Sequence, residues 1–300
     1  MPEVSSTLPQ QQHISMMIIG AQKAGTTSIK EYLGEHPALQ THLQKEFSYF
    51  FDDNDYAEGY AKALKKYYPH AESSELLIAK NAGLYTSEEG MRRLKAHNPN
   101  CEIVILLRNP VERTYSAFLM EKNYGHINIP FQEMRGIVEK ADTTDWRYSF
   151  LVGMSLYADH LEMIYRHFPK EKVTLIRYED LNSEPLQICT ALFAKLGVDS
   201  SFVPNTNIRH NVTHKTRSQN VGRFITRLLS KNSKVKKYIR AFFPGRADYK
   251  AGELLRKANL SNARHEPIDP EMALFLRNFY KPYNNRLSEI TGIDFSSWNN

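Results

Sequence analysis

The stretch Met17-Ile18-Ile19-Gly20-Ala21-Gln22-Lys23-Ala24-Gly25-Thr26-Thr27-Ser28 constrains the fold more than any other part of the chain. An apolar run, Ile14 to Ile19, ends at Gly20. A second glycine follows at Gly25, and a helical pattern begins at Thr26, with Ile29, Tyr32 and Leu33 on one face and Pro37 beyond its end. A buried strand that feeds a glycine-bearing loop and then a helix turns backbone N–H groups toward one point, and the helix N-terminus adds partial positive charge there. The hydroxyls of Thr26, Thr27 and Ser28 add donors. This pattern predicts a phosphate-binding loop. It departs from the nucleotidase pattern G-x-x-x-x-G-K-[ST], because Thr26 follows Gly25 and the lysine, Lys23, lies inside the loop. Such a loop suits a nucleotide with a 5′-phosphate and a transferable group. Read alone, it also fits an ordinary tight strand–helix turn.

The rest of the chain alternates strand and helix signals. Strands are expected at Leu76–Ala79, Ile103–Leu107 and Val173–Arg177. Helices are expected at Tyr56–Tyr68, Glu88–His97, Pro110 to about Asn123, Phe131–Lys140, Leu156–Phe168, Leu186–Leu196 and Pro270–Ile290. Ile103–Leu107 is continuous and uncharged, as a strand covered on both faces should be. The implied fold class is α/β: a central parallel sheet flanked by helices, a P-loop-like nucleotide-binding fold with a mainly helical C-terminal third. At 300 residues and 41% apolar, the chain can bury a sizeable core. The expected organisation is a flexible tail over residues 1–13 and a single domain over 14–300. Cys101 and Cys189 fall in apolar surroundings and read as buried free thiols rather than a disulfide scaffold.

Charge is concentrated in one place. The net charge is +6, yet ten Lys or Arg and no acid lie between Arg209 and Arg240, and the remaining 29 basic and 33 acidic residues leave the rest at −4. With Leu228, Leu229, Val235, Tyr238 and Ile239 interleaved, this stretch reads as a lid or acceptor-binding region able to meet an anionic glycan, a membrane surface or another protein, or as a solvated helical face. No nucleic-acid module accompanies it. The apolar runs are too short to span a bilayer and no secretory signal precedes residue 13, so a cytoplasmic location is the expectation.

A second anion-binding segment is Ile105-Leu106-Leu107-Arg108-Asn109-Pro110-Val111-Glu112-Arg113-Thr114-Tyr115-Ser116. Arg108 leaves the end of a strand, where open α/β sheets bind ligands, and Ser116 lies a little over two helical turns beyond Asn109. Together the two segments resemble the PAPS-dependent sulfotransferases, which use 3′-phosphoadenosine 5′-phosphosulfate, and in style the heparan-type glycan sulfotransferases. The likeness extends to Lys45-Glu46-Phe47-Ser48-Tyr49-Phe50-Phe51, to Phe168-Pro169 with Arg177-Tyr178-Glu179-Asp180-Leu181, and to Arg264-His265-Glu266-Pro267 with Tyr280-Lys281-Pro282-Tyr283-Asn284-Asn285. The resemblance implies that Gln22, Lys23, Ala24, Gly25, Thr26, Thr27 and Ser28 hold the 5′-phosphosulfate, that Arg108 and Ser116 grip the 3′-phosphate, and that Arg264 adds a cofactor contact. Three segments depart from the family pattern. Asn262-Ala263-Arg264 replaces Lys-Gly-Arg, Ala79 stands where an acid often precedes the middle lysine, and Ser48 stands where histidine is usual.

Sulfuryl transfer needs a cation at the leaving oxygen and a base for the acceptor's proton, and neither role requires a metal. The resemblance assigns the cation to Lys23 and the base to Glu46, beside an aromatic run that could raise its pKa by desolvation. The competing base is His126, and the competing reading of Glu46 is pairing with a nearby lysine. Lys80 is either a contact to the sulfuryl group or acceptor, or a surface lysine. The acceptor is expected to be a hydroxyl, or an amine, of a carbohydrate or specialised metabolite. The rivals are a non-catalytic nucleotide- or glycan-binding protein and a P-loop nucleotide kinase, the latter opposed by the displaced lysine.

Overall fold

The computed structural model describes residues 12–72, 74–207, 221, 254–255, 259 and 266–300. They fall into two compact units. The first gathers the chain up to Asn109, the stretch that starts at Leu156, and Arg286–Ile293. The second gathers Pro110–Ser155, the described residues from 221 to Asn285, and Asp294–Asn300.

The first unit holds a five-stranded parallel sheet in the order β2-β3-β1-β4-β5, built from β1 (Ile14–Gly20), β2 (Leu39–Thr41), β3 (Leu76–Lys80), β4 (Glu102–Leu107) and β5 (Val173–Arg177). In β4 every residue after Glu102 is buried, which explains its unbroken apolar sequence. The chain leaves central β1 toward β2 and β3 on one side and later places β4 and β5 on the other. That reversal creates the crevice at the carboxyl ends of the strands where such sheets bind ligands. Helix α1 (Thr26–Leu33) packs on β3, and the pair α8 (Tyr178–Ser183) and α9 (Pro185–Leu196) adjoins it through α9. A separate pair, α4 (Glu88–His97) and α7 (Tyr157–His167), packs together.

Two local features differ from the sequence reading. The single helix expected over Tyr56–Tyr68 is split into α2 (Asp53–Ala57) and α3 (Tyr60–Tyr67). Gly59 takes φ 85°, ψ 152°, a conformation essentially closed to other residues, while the Asp52 carboxylate caps α2 from the N–H groups of Asn54 and Asp55. Gln12 and His13, placed by sequence in a flexible tail, are anchored. The Gln12 amide donates to the carbonyls of Glu72 and Glu75, and the His13 ring packs on His97. Cys101 and Cys189 are free and buried, as expected.

In the second unit α5 (Pro110–Tyr124) lies against a π-helical turn, Tyr148–Val152, and a 3₁₀ turn, Gly153–Ser155. Arg113, fully buried, clamps these turns. Its Nε donates to Ser155 Oγ at 2.6 Å, and its Nη2 donates to the carbonyls of Phe150 and Leu151. Thr114 Oγ1 meets Tyr280 Oη at 2.8 Å on α10 (Pro270–Thr291). Helix α6 (Met134–Lys140) follows a 3₁₀ turn at Phe131–Glu133, so the expected Phe131–Lys140 helix starts with a tighter turn. Among the described residues no helix is long and apolar enough to cross a membrane.

Candidate active site

The loop after β1 has the form its glycines demand. A Cβ on Gly20 would fall within the Tyr85 ring, so only glycine lets the strand end pass beneath it. Gly25 has φ 90°, and a Cβ there would lie 2.8 Å from Leu181 Cδ2. Lys23 also has a left-handed backbone, φ 73°. A residue with a side chain pays about 1–2 kcal/mol for that conformation, so the loop holds Lys23 against its own preference. Left-handed residues at 23 and 25 bend the main chain sharply, while the Ala21 N–H donates to the Leu106 carbonyl and the Ala24 N–H to the Ala21 carbonyl. Helix α1 begins directly at Thr26 with no side-chain cap and no acid in its first turn. Its first N–H groups therefore suit an anion. Thr26 is buried, and Thr27 and Ser28 are half-buried beside it. The Gln22 Oε1 atom is buried without a hydrogen-bond partner.

Arg108 is tied to this loop. Its Nη1 donates to the Lys23 carbonyl at 3.2 Å, and its guanidinium lies 4.6 Å from the centre of the Tyr178 ring. Its own carbonyl accepts from Tyr157 Oη at 2.9 Å. The guanidinium is thus stacked on one face and fixed beside the phosphate loop. Tyr178 opens α8 directly after the end of β5. Ser116 belongs to the second unit and is buried on α5. Arg264 and the 209–240 stretch, Val221 apart, lie outside the described residues.

The third component sits at the end of β3. Ile18 and Lys80 are register partners on β1 and β3, so Lys80 stands on the strand next to the one that leads into the loop. Lys80 is 1% exposed, which excludes the surface-lysine reading. Its Nζ donates to Glu46 Oε1 at 2.8 Å, and the Ala82 N–H donates to Glu46 Oε2 at 2.9 Å. Both carboxylate oxygens are therefore held, while 32% of the side chain stays exposed. The Phe47 N–H donates to the Lys80 carbonyl at 2.7 Å, which fastens the Glu46 segment to the strand end. Burial pulls the Lys80 ammonium below its usual pKa, opposed by Glu46 and aided by the charges of Lys30 and Lys45. Of the aromatic run beside Glu46, Phe47 and Phe50 turn into the core against each other, with Phe47 also on Tyr67, while Phe51 stays exposed. Glu46 does pair with a lysine, but with buried Lys80 rather than neighbouring Lys45.

His126, the competing base, lies in the second unit. Its Nδ1 is 2.6 Å from Glu121 Oε2, and it borders a pocket shared with Asn128, Trp146 and Arg147.

An anion-binding loop with an internal lysine, a stacked arginine on it, and a carboxylate–lysine pair one strand away now stand together in one unit. The sequence profile of the Sulfotransferase domain family matches residues 13–284. The chain belongs to the sulfotransferase family. The sulfotransferase is 24% identical over 284 residues to heparan sulfate glucosamine 3-O-sulfotransferase 5 of Mus musculus, covering 94% of this chain and 73% of that protein. It is 26% identical over 282 residues to heparan sulfate glucosamine 3-O-sulfotransferase 6 of Homo sapiens, covering 93% and 72% respectively. Its fold matches the crystal structure of a sulfotransferase from Alicyclobacillus acidocaldarius with a TM-score of 0.67, at 19% identity, covering 97% of this chain and 100% of the other. The protein is thus an enzyme of sulfuryl transfer with the expected parallel-sheet fold.

Sequence reasoning missed three participants in the sulfotransferase site. His42 accepts the Lys80 N–H through Nε2 at 3.1 Å. Asn81 donates to the Phe47 carbonyl at 3.2 Å. Tyr178 forms the platform under Arg108. The only signal available was that Tyr178 follows a strand end directly; His42 and Asn81 carried none.

Proposed function

We propose that the sulfotransferase takes its sulfuryl group from PAPS and transfers it to a carbohydrate hydroxyl, with Lys23, Glu46 and Lys80 as the reacting machinery. The observation that carries this reading is the Lys80–Glu46 pair, fixed at the carboxyl edge of the sheet on the strand beside the one that enters the phosphate loop. The donor fits the residues present. The Lys23 ammonium, the uncapped start of α1 and the Arg108 guanidinium are all donors, whereas the phosphosulfate and the 3′-phosphate offer only acceptor oxygens.

PAPS supplies the activated sulfur–oxygen bond. Lys23 stabilises the bridging oxygen as it becomes anionic on the departing adenosine 3′,5′-bisphosphate. Glu46 takes the proton of the acceptor hydroxyl as the acceptor oxygen bonds to sulfur and the bond to the bridging oxygen breaks. Lys80 holds the carboxylate in place and offsets its repulsion from the sulfuryl oxygens. Arg108, anchored on the Lys23 carbonyl and stacked on Tyr178, supplies a cation for the 3′-phosphate.

A carbohydrate acceptor is supported by the heparan sulfate relatives, while Ser48 and Ala79 mark this site as different from the usual family pattern. The test is transfer of ³⁵S from PAPS to a panel of desulfated glucosamine-containing oligosaccharides, simple glycosides, amines and phenols. Label in a sugar hydroxyl is the expected result. Label in a phenol alone would overturn the acceptor class, and binding of PAPS without transfer to any acceptor would favour a non-catalytic binder.

A further inference from the structure

We infer that His42 is a positioning residue of the sulfotransferase, whose imidazole Nε2 holds the Lys80 main chain and so aims the Lys80 ammonium at Glu46. The inference rests on the reading of Glu46 and Lys80 as reacting groups.

Lys80 is the last residue of β3, and although it still pairs with Ile18 on β1, the β2 side of the ladder has ended at Thr41. Its N–H donates to His42 Nε2 at 3.1 Å, and its carbonyl accepts from Phe47 at 2.7 Å. These two bonds fix the peptide planes on either side of the Lys80 Cα, and the direction of its side chain follows from them. The Nζ then lies 2.8 Å from Glu46 Oε1. His42 is thus one residue removed from the carboxylate through a buried contact to the Lys80 main chain and a part-buried one from its Nζ.

The surroundings of His42 decide its protonation state. It follows β2 directly and is 1% exposed. The Phe47, Tyr67 and Tyr68 rings stand around it with centroids 6.0, 6.3 and 6.2 Å away. The charged groups that face it are Lys80 from β3 and Lys30 from α1. Lys30 is itself buried and bonded to Glu31 at 3.1 Å. The titratable phenols of Tyr67 and Tyr68 are pushed upward by burial, so they stay neutral. Burial, then Lys30 and Lys80, hold the imidazole well below its usual pKa. A neutral ring that accepts at Nε2 carries its proton on Nδ1. Only this form can receive the Lys80 N–H. A protonated ring would lose that bond and would add a third cation beside two lysines.

A phenylalanine at position 42 fills the space but leaves the Lys80 N–H buried and unpaired. A glutamine can return an acceptor oxygen to the place of Nε2. For His42→Phe, kcat should fall of order 10–10²-fold, the scale of a misplacement near an ångström. Affinity for adenosine 3′,5′-bisphosphate should stay within about twofold, because the phosphate loop is untouched and a mere loss of folding would move both. His42→Gln should recover most of the rate. Equal rates for wild type and His42→Phe, or a His42→Gln enzyme as slow as His42→Phe, would overturn the inference while leaving the proposed function intact. Should the variants fail to fold, or no acceptor be turned over, ¹⁵N NMR of the wild-type imidazole tests the same contact. Nε2 should show the shift of an unprotonated acceptor with no titration between pH 5 and 8. A proton on Nε2, or a midpoint near 6.5, would overturn it.

Discussion

Replacing Glu46 by glutamine should damage stability and turnover by separate routes, and a second substitution should separate them. In the wild type the Lys80 ammonium, 1% exposed, has one carboxylate partner at 2.8 Å. Removing one member of a buried pair typically costs about 3–5 kcal/mol. Glu46 is a third exposed, so solvent already screens part of the attraction, and about 2–3 kcal/mol is expected for Glu46→Gln at pH 7. The cost should depend on pH. Burial already depresses the Lys80 pKa in the folded state, and Glu46 raises it. Without Glu46 it falls further, so on raising the pH the folded variant sheds its proton while the unfolded chain keeps one up to the ordinary lysine pKa. The unfolded state then binds more protons, and stability rises with pH in that window. The deficit should therefore shrink between pH 7 and pH 9.5. Lys80→Met removes the stranded charge, so Glu46→Gln/Lys80→Met should regain most of the loss, with a coupling of roughly 1–3 kcal/mol. Turnover should behave differently. Loss of the base costs roughly 10²–10⁴-fold, and the double variant should stay as slow as Glu46→Gln. Urea unfolding of the four proteins at both pH values, with initial rates alongside, gives all the terms. Additive stabilities with no coupling, or a deficit that grows with pH, would refute the reasoning.

Other outcomes follow from the same geometry. Adenosine 3′,5′-bisphosphate should bind more tightly than adenosine 5′-monophosphate by calorimetry, and Arg108→Ala should narrow the gap by weakening the bisphosphate more than the monophosphate; equal affinities in the wild type would remove Arg108 from the 3′-phosphate. His97 accepts the Ile14 N–H through Nε2 at 3.2 Å, and burial, with His13 adding to it, pulls its pKa down to about 4. The unfolded chain protonates this histidine near 6.5 while the folded one does not, so stability should fall as the pH drops from 6.5 toward 4, by up to about 3 kcal/mol, and His97→Gln should flatten urea-derived stability over that range. Gly25→Ala combines a left-handed φ with a close approach to Leu181 and should cost at least about 1–2 kcal/mol by urea unfolding, with nucleotide affinity falling by calorimetry.

The parts of the fold that were legible in the sequence are those with a local signature. The run from Ile14 into Gly20 and Gly25, and the uncharged Ile103–Leu107, each carry their own pattern, and strand and loop formed where it placed them. Leu39–Thr41 has only three residues and no period, so β2 was invisible. Gly59 lies in an otherwise helical run, and only its backbone angles show that it breaks the helix. The Glu46–Lys80 contact spans 34 positions and depends on the pairing of β2 with β3, which spacing does not encode. The directions of the aromatic side chains after Glu46 were hidden for a related reason. Aromatic neighbours in sequence alternate in direction, and Phe47 and Phe50 followed the core instead of the carboxylate. His42 carried no sequence signal because its partner is a backbone N–H, and no side-chain pattern reports that.

Single-turnover transfer of ³⁵S from PAPS tests the central claim most directly, with wild type, Lys23→Met and Glu46→Gln compared at saturating nucleotide and a fixed oligosaccharide acceptor. The wild type should transfer label. Lys23→Met should be slower of order 10²–10³-fold, the scale of one lost transition-state contact, and Glu46→Gln roughly 10²–10⁴-fold, while both still bind adenosine 3′,5′-bisphosphate. Transfer rates within a few-fold of wild type in both variants would contradict the assignment of the reaction to this loop and this carboxylate.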